Sequence, residues 1–580
     1  MKKIFLLLSI LCTTLTLSAG PIGESRARQI AEEFFAQHTT RSADGAITLT
    51  WAGESIANPM STGAELDNAL MYIYKRGEDN GFVIVAGDNN VSPIIAYALN
   101  GEIDTNDMAF ATRDILDAWC RQIEAARKEQ IPVSTKRSAT RSGDELLYQT
   151  ALWAQNEPYN LEAPIYDGFR SVTGCAATAM AIICYYNRWP DKGVGTTPEY
   201  SYYDAYNQIR TVAANTLGRT YNYDNMLLDY SNDYTSAEGN AVAALMKDMG
   251  TSVNMSYHYT ESGASVFSNV PAFTNYFKYS KEAVLLCLDN YDIDTWNEMM
   301  RENLRACGPT FYSGGSNVGG HAFVIDGYSY NDYFHINYGW GGSGNAWYLL
   351  PSIEFYARQA AIFDLVPDKS GTTQYRDNLQ LMEANDGYNT YYGISTSATH
   401  YSVGESCSVY IGGIFNVGPR PFTGHISVVH CTNSGEWKEQ LYTTYINDLP
   451  CESGLVDSDI ITITQSIDEG DRLRLYFRSE GDDEWEWIRT FGGFASDEIL
   501  LTATAKEVAK TLAFHYDKTQ GVVFLESPNA LQCELNYPNG DIETKEMQGH
   551  SYMYFIVNRN GEYTLNVRSG GEPYTLKFKL

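Results

Sequence analysis

Apolar positions recur along the chain with changing periods. Near the start, SRARQIAEEFFAQH places Ile30, Ala31, Phe34 and Phe35 at helical spacing. The runs ALMYIYKR, GFVIVAGD and PIIAYALNGEI follow, separated by turn residues, and predict strands. A second helix is predicted from Ala109 to Glu129, ended by Pro132. Residues 20 to about 135 therefore read as a compact α+β unit. The next stretch, VSTKRSATRSGDE, has no sizeable apolar residue after Val133 and carries Lys136, Arg137 and Arg141. It reads as an exposed, cleavable linker closing the leading segment at 144.

From 145 to 367 the order is helices first and strands later. Helices are predicted after Gly174, near Asn240–Met249 and near Ile293–Cys307, with a Tyr-rich irregular segment between the first two. HAFVIDGYSY, DYFHINYGW, AWYLL and QAAIFDLV then read as strands, so this domain is α+β with a helical half and a sheet half. Beyond SGTTQY, alternation at period two dominates: SCSVYIGGIF, TGHISVVH, IITITQSI and RLRLYFRS, then TLAFHYD, GVVFLES, SYMYFIVN, EYTLNVRS and YTLKFKL. These predict two β-sandwich modules, 374–503 (immunoglobulin-like) and 505–580, with a boundary near Thr504.

A chain of 580 residues has room for three or four such domains. Its formal charge of -30 argues against nucleic acid and anionic membrane surfaces, which attract basic patches. The opening MKKIFLLLSILCTTLTLSAG has basic Lys2 and Lys3, a short apolar core and small residues at Ser18–Gly20. Residues 1–19 therefore read as a signal peptide, and the protein as secreted or cell-surface without a membrane span. Cysteines 120, 175, 184, 287, 307, 407, 431, 451 and 533 remain, an odd number that leaves at least one thiol free. No CxxC pair occurs, so a zinc site has little support.

The stretch SVTGCAATAMAIICYYNRWP raises the chemical question. Gly174 permits a sharp turn, and the Ala-rich run after Cys175 favours helix. A cysteine there sits at the positive end of the helix dipole, which favours thiolate. From the local sequence alone it reads first as a packed core cysteine, as Cys184 does nine positions on. A nucleophilic thiol needs a base. Of His258, His321 and His335, only His321 opens a strand behind Gly319 and Gly320, where it can face a cleft. Asn337 follows after an expected turn at Ser329–Asp332 and can orient the ring through its side-chain carbonyl, shielded by Tyr338 and Trp340; it also reads as a turn-forming Asn beside glycine. The Cys175 N–H, and a side-chain amide from Gln155, can stabilise an oxyanion.

The order Gln, Cys, His, Asn is that of papain-like cysteine peptidases. The words WAQNEPYN, TGCAATAMA, GGHAFVIDGY and FHINYGWGG resemble the streptopain family, including its interpain-like members. GFVIVAGDNNVSPIIAYALNGEID resembles that family's inhibitory propeptide. The resemblance covers about residues 21 to 366 and implies a two-lobed papain-like domain behind an inhibitory prodomain at 20–144. It implies Cys175 as nucleophile, His321 as base and acid, Gln155 in the oxyanion hole, and Asn337 or its aromatic neighbours supporting the histidine. It also implies proteins and peptides as substrates, the prodomain as an intramolecular inhibitor, and no cofactor. Family members often carry Trp where this chain has Tyr338, so weaker shielding is expected there; Trp340 matches. Two other readings stay open: an acyltransferase or amidase using the same pair, and a non-catalytic adhesin carried by the β modules, which bind a surface ligand in that case.

Overall fold

A computed structural model describes residues 20–38, 46–129, 145–501 and 513–579, less short interruptions at 62, 78–80, 102, 104, 106–109, 205, 317–318, 330–331, 351–354, 356, 386–389, 399–400, 402–403, 405, 469, 493–495, 518–521, 528–530, 548–550, 558–560 and 569–573. The expected signal segment, the linker at 130–144, the boundary near Thr504 and the centre of the turn at 329–332 lie outside the described residues.

The chain forms two compact units. Of the described residues, one unit holds those up to 145 with those in 328–336 and 343–354; the other holds those in 146–327, 337–342 and 355–580. In the first, the helix Glu24–His38 buries Ala27, Ile30, Ala31, Phe34 and Phe35, the stripe read from the sequence. Strands Ile47–Ser55, Met71–Arg76, Phe82–Ala86 and Ile94–Ala98 pair antiparallel in chain order. Beyond them the strand Ala346–Leu349 joins, with Trp347 opposite Tyr97 and Tyr348 opposite Ala96. Trp347 stacks on Tyr97 at 5.9 Å and 13°. Aromatic area of this size is worth burying, and it draws a strand from the 145–367 stretch into the first unit's sheet.

In the second unit the helix Cys175–Asn187 is apolar all round and buries ten consecutive residues from Ala176 to Tyr185. It packs on the helix Ser236–Ser252, whose start is closed by a reciprocal cap between Thr235 and Glu238. The helix Ile293–Cys307 runs as expected, capped by Asp292. The helix Asn269–Phe277 was not foreseen; its Pro271 sits in the first turn, where no intrahelical donor is lost. Thr310–Ser316 pairs antiparallel with Gly319–Tyr328 on one side and Ala357–Phe363 on the other.

The strands from Leu379 to Leu500 form two sheets around one core that includes Leu381, Ile411, Ile426, Leu475 and Ile488. Those from Ala513 to Lys579 form two smaller sheets around Val523, Leu525, Phe555 and Leu565. The first module docks on the helical half. Asn290 Nδ2 donates to the Thr490 carbonyl at 2.9 Å, Gln380 Nε2 to the Leu285 carbonyl at 3.1 Å, and Phe267 meets Phe491 edge-on at 4.9 Å.

Candidate active site

Cys175 is the first residue of its helix, as its sequence context implied. Gly174 before it has φ 86, a conformation that side-chain-bearing residues rarely adopt. A Cβ at Gly174 would lie 2.5 Å from Met255 Sδ and 3.0 Å from the Ser262 carbonyl oxygen. The approach is held from both sides. Val172 N–H donates to the His258 carbonyl at 3.0 Å, and Ser262 Oγ donates to the Val172 carbonyl at 2.9 Å. Thr173 and Thr178 share a hydroxyl–hydroxyl bond at 2.9 Å. Thr173 N–H donates to the Gln155 carbonyl at 3.1 Å, which lays the Gln155 segment beside the nucleophile loop. The Gln155 side chain is half-exposed, and its amide makes no hydrogen bond among the described residues.

Cys175 is partly exposed as a residue, yet its sulfur is packed. Burial pushes the thiol above its usual range, opposed by the backbone N–H groups of Ala322, Ala176 and Cys175. Ala322 is the residue after His321, so the strand Gly319–Tyr328 brings histidine and sulfur to one place. Cys184, by contrast, is fully buried among core side chains, and burial pushes its thiol up to about 12.

His321 is 8% exposed. Its Nε2 lies 2.8 Å from the Tyr338 carbonyl oxygen. A carbonyl only accepts, so Nε2 carries the proton and the lone pair of the neutral ring lies on Nδ1. No hydrogen bond joins His321 to Cys175 among the described residues. Burial lowers the ring's pKa to about 4, partly offset by the Tyr338 carbonyl, so the imidazole is neutral at ordinary pH. Trp340 lies 4.7 Å from the ring and Phe355 5.1 Å. Tyr338, 1% exposed, stacks on Trp340 at 4.7 Å and 10°.

Asn337 acts one step further back than the sequence suggested. Its carbonyl oxygen accepts from Gly339 N–H at 3.1 Å and not from the imidazole. Its Nδ2 donates to Thr150 Oγ1 at 2.9 Å and to the Ala151 carbonyl at 2.8 Å. The side chain thus closes a turn around Tyr338 and aims that residue's carbonyl at His321. Gly320 opposes Gly315, and His321 opposes Gly314, on the neighbouring strand, so no side chain stands across that strand pair from the histidine. Phe355, Met255 and Ser262 carry no signal in the sequence. They lie in segments without local chemical signature, and only the fold brings them in. Among the described residues no three His, Cys, Asp or Glu side chains gather as a metal site.

Residues 153–348 match the family model described as the Peptidase C10 family. The chain is similar to the Peptidase C10 family over that stretch, which holds Gln155, Cys175, His321 and Asn337. Residues 19–123 match a second model, the Spi protease inhibitor, so a cysteine-type peptidase domain follows an inhibitor-type leading domain. Among curated proteins, the thiol protease/hemagglutinin PrtT of Porphyromonas gingivalis is 32% identical over 367 residues. That alignment covers 60% of this chain and 41% of PrtT, so the chain spans less than half of that relative. Streptopain of Streptococcus pyogenes is 28% identical over 355 residues, covering 56% of this chain and 87% of streptopain. A solved fragment of Prevotella intermedia prointerpain A is 24% identical with a TM-score of 0.45, covering 55% of this chain and 99% of the fragment.

Proposed function

We propose that the protein is a secreted cysteine endopeptidase made as a zymogen, with Cys175 as nucleophile and His321 as its base. The observation that carries this reading is the His321 Nε2–Tyr338 carbonyl bond, which leaves Nδ1 as the ring's proton acceptor while the Cys175 sulfur lies against Ala322 N–H. The thiol proton passes to Nδ1 as sulfur attacks a peptide carbonyl carbon. The negative charge that develops on the carbonyl oxygen meets the Cys175 N–H at the helix start and the Gln155 amide. The imidazolium returns its proton to the leaving amine, and water hydrolyses the thioester. The Trp340, Tyr338 and Phe355 rings keep water from competing for the orienting bond. No cofactor enters.

Substrates in this reading are proteins and peptides, and the leading domain is an intramolecular inhibitor released by cutting between about Val133 and Asp144. The test is casein hydrolysis, without added amine, by chain freed of its leading domain, the Cys175→Ala variant being cut by wild type that is then removed. Wild type should hydrolyse and Cys175→Ala should not. Hydrolysis by the alanine variant, or turnover only when an amine acceptor is supplied, would refute the reading. N-terminal sequencing of the active form locates the cut.

A further inference from the structure

Four residues before Cys175 the chain borders a second recess, lined by Tyr166, Phe169, Ser171, Tyr206, His258 and Tyr259. Ser171 is 1% exposed. Its N–H donates to the Pro164 carbonyl at 2.9 Å, and its carbonyl accepts from Asn160 Nδ2 at 2.9 Å. Its hydroxyl, however, is buried without a hydrogen-bond partner among the described residues, and so is His258 Nε2. The other ring nitrogen of His258 is accounted for. Thr260 N–H donates to Nδ1 at 3.3 Å, and the Thr260 hydroxyl lies at 2.8 Å. Nδ1 is therefore the acceptor, and the neutral ring carries its hydrogen on Nε2. Two residues that line the recess thus each carry a buried polar atom unmatched by protein, one an N–H donor and one a hydroxyl. Leaving such a group unmatched costs about 1–3 kcal/mol, so an occupant supplies the acceptor.

The walls describe that occupant. Phe169 and Tyr259 lie 5.1 Å apart, His258 and Tyr259 4.3 Å, and the Tyr206 and Tyr259 hydroxyls 3.2 Å. Phe169, Tyr206 and Tyr259 stand 59%, 63% and 41% exposed, so their rings are open to a flat partner. The nearby Arg210 is already engaged: it pairs with Asp204 at 2.7 Å and with Asp167, and stacks on Tyr166. With two carboxylates to one guanidinium, an anion is disfavoured. A neutral, flat group bearing one oxygen fits. Four residues of chain span at most about 14 Å, and an extended substrate advances about 3.3 Å per residue. The recess is thus within about four substrate residues of the scissile bond.

We infer that this recess is a specificity subsite for a tyrosine side chain of the substrate. The phenol oxygen accepts from His258 Nε2 and bonds the Ser171 hydroxyl, while the ring lies against Phe169 and Tyr259. This rests on the peptidase reading above. The test uses full-length chain that has processed itself and matched fluorogenic peptides carrying Tyr or Phe at each of four positions on either side of the cut. At one position Tyr should exceed Phe about tenfold in kcat/KM, the worth of one such hydrogen bond. Ser171→Ala and His258→Phe should each bring that ratio towards one. The ratio is read within one preparation, so it does not depend on how much of a variant is folded. Cleavage with no position favouring Tyr, or a preference that survives both substitutions, would overturn the subsite and leave water as the occupant. Absence of cleavage of every peptide would overturn the peptidase reading, and the subsite with it.

Discussion

Asn337→Ala separates the turn-based orientation of His321 from a direct bond between the two side chains. Asn337 is fully buried and makes three hydrogen bonds, to Thr150 Oγ1, the Ala151 carbonyl and Gly339 N–H. Truncation leaves buried groups unmatched, at about 1–3 kcal/mol in all once neighbours relax. The catalytic consequence is separate. Without the Asn337 oxygen, Gly339 N–H no longer holds the Tyr338 peptide, and the carbonyl that binds Nε2 drifts. Loss of about 1.5–3 kcal/mol of orientation lowers kcat by about 10- to 100-fold, with KM nearly unchanged because Asn337 is not placed to touch substrate. Thr150→Val, which removes one acceptor for Asn337 Nδ2 and the Thr150 hydroxyl's bond to the Asp326 carboxylate but leaves the Asn337–Gly339 bond in place, should lower kcat less. Both are read by steady-state kinetics on processed enzyme, with circular dichroism as the check on folding. A folded Asn337→Ala enzyme with kcat within about threefold of wild type would refute the turn as the orienting device.

Three further outcomes follow from the same geometry. Gly174→Ala should lower kcat at least 100-fold in a chain that still folds, because the strained φ and the Ser262 carbonyl displace Cys175; adding Met255→Ala should not restore it, and restoration would show that crowding by Met255 alone matters. His321, with its pKa lowered to about 4 from an ordinary 6.5, binds protons more readily when unfolded. Its contribution to stability is complete above about pH 6.5 and falls by about 3 kcal/mol as the pH drops towards 4; His321→Gln should flatten the urea midpoint over that window, and an unchanged slope would contradict the buried neutral ring. Phe491→Ala removes the edge-on contact with Phe267 and should lower the melting midpoint by about 2–4 °C in a single transition; an unaffected peptidase transition would mean that the module does not support that domain.

Much of the site was legible because its chemistry sits on local signals. Gly174 before an Ala-rich run announced a cysteine at a helix start, and Gly319–Gly320 announced a histidine at the mouth of a strand. The apolar stripe of Ile30, Ala31, Phe34 and Phe35 predicted its helix for the same reason. Asn337 shows where such reasoning stops. Its place at a strand end was readable, but the partner of a side-chain carbonyl depends on a turn two residues long, and here that partner is Gly339. Met255, Ser262 and Phe355 were illegible, since each reaches the site through long-range packing. So was the pairing of Ala346–Leu349 with Ile94–Ala98, because alternation marks a strand without naming its neighbour.

In the proposed mechanism one sulfur, that of Cys175, carries the reaction. Processed protein treated with a limiting amount of iodoacetamide and digested for mass spectrometry tests this directly. The account predicts an adduct on Cys175 in step with loss of peptide hydrolysis, with Cys184 unmodified in its core position. Full activity with Cys175 alkylated, or inactivation tracking Cys184 while Cys175 stays free, would contradict it.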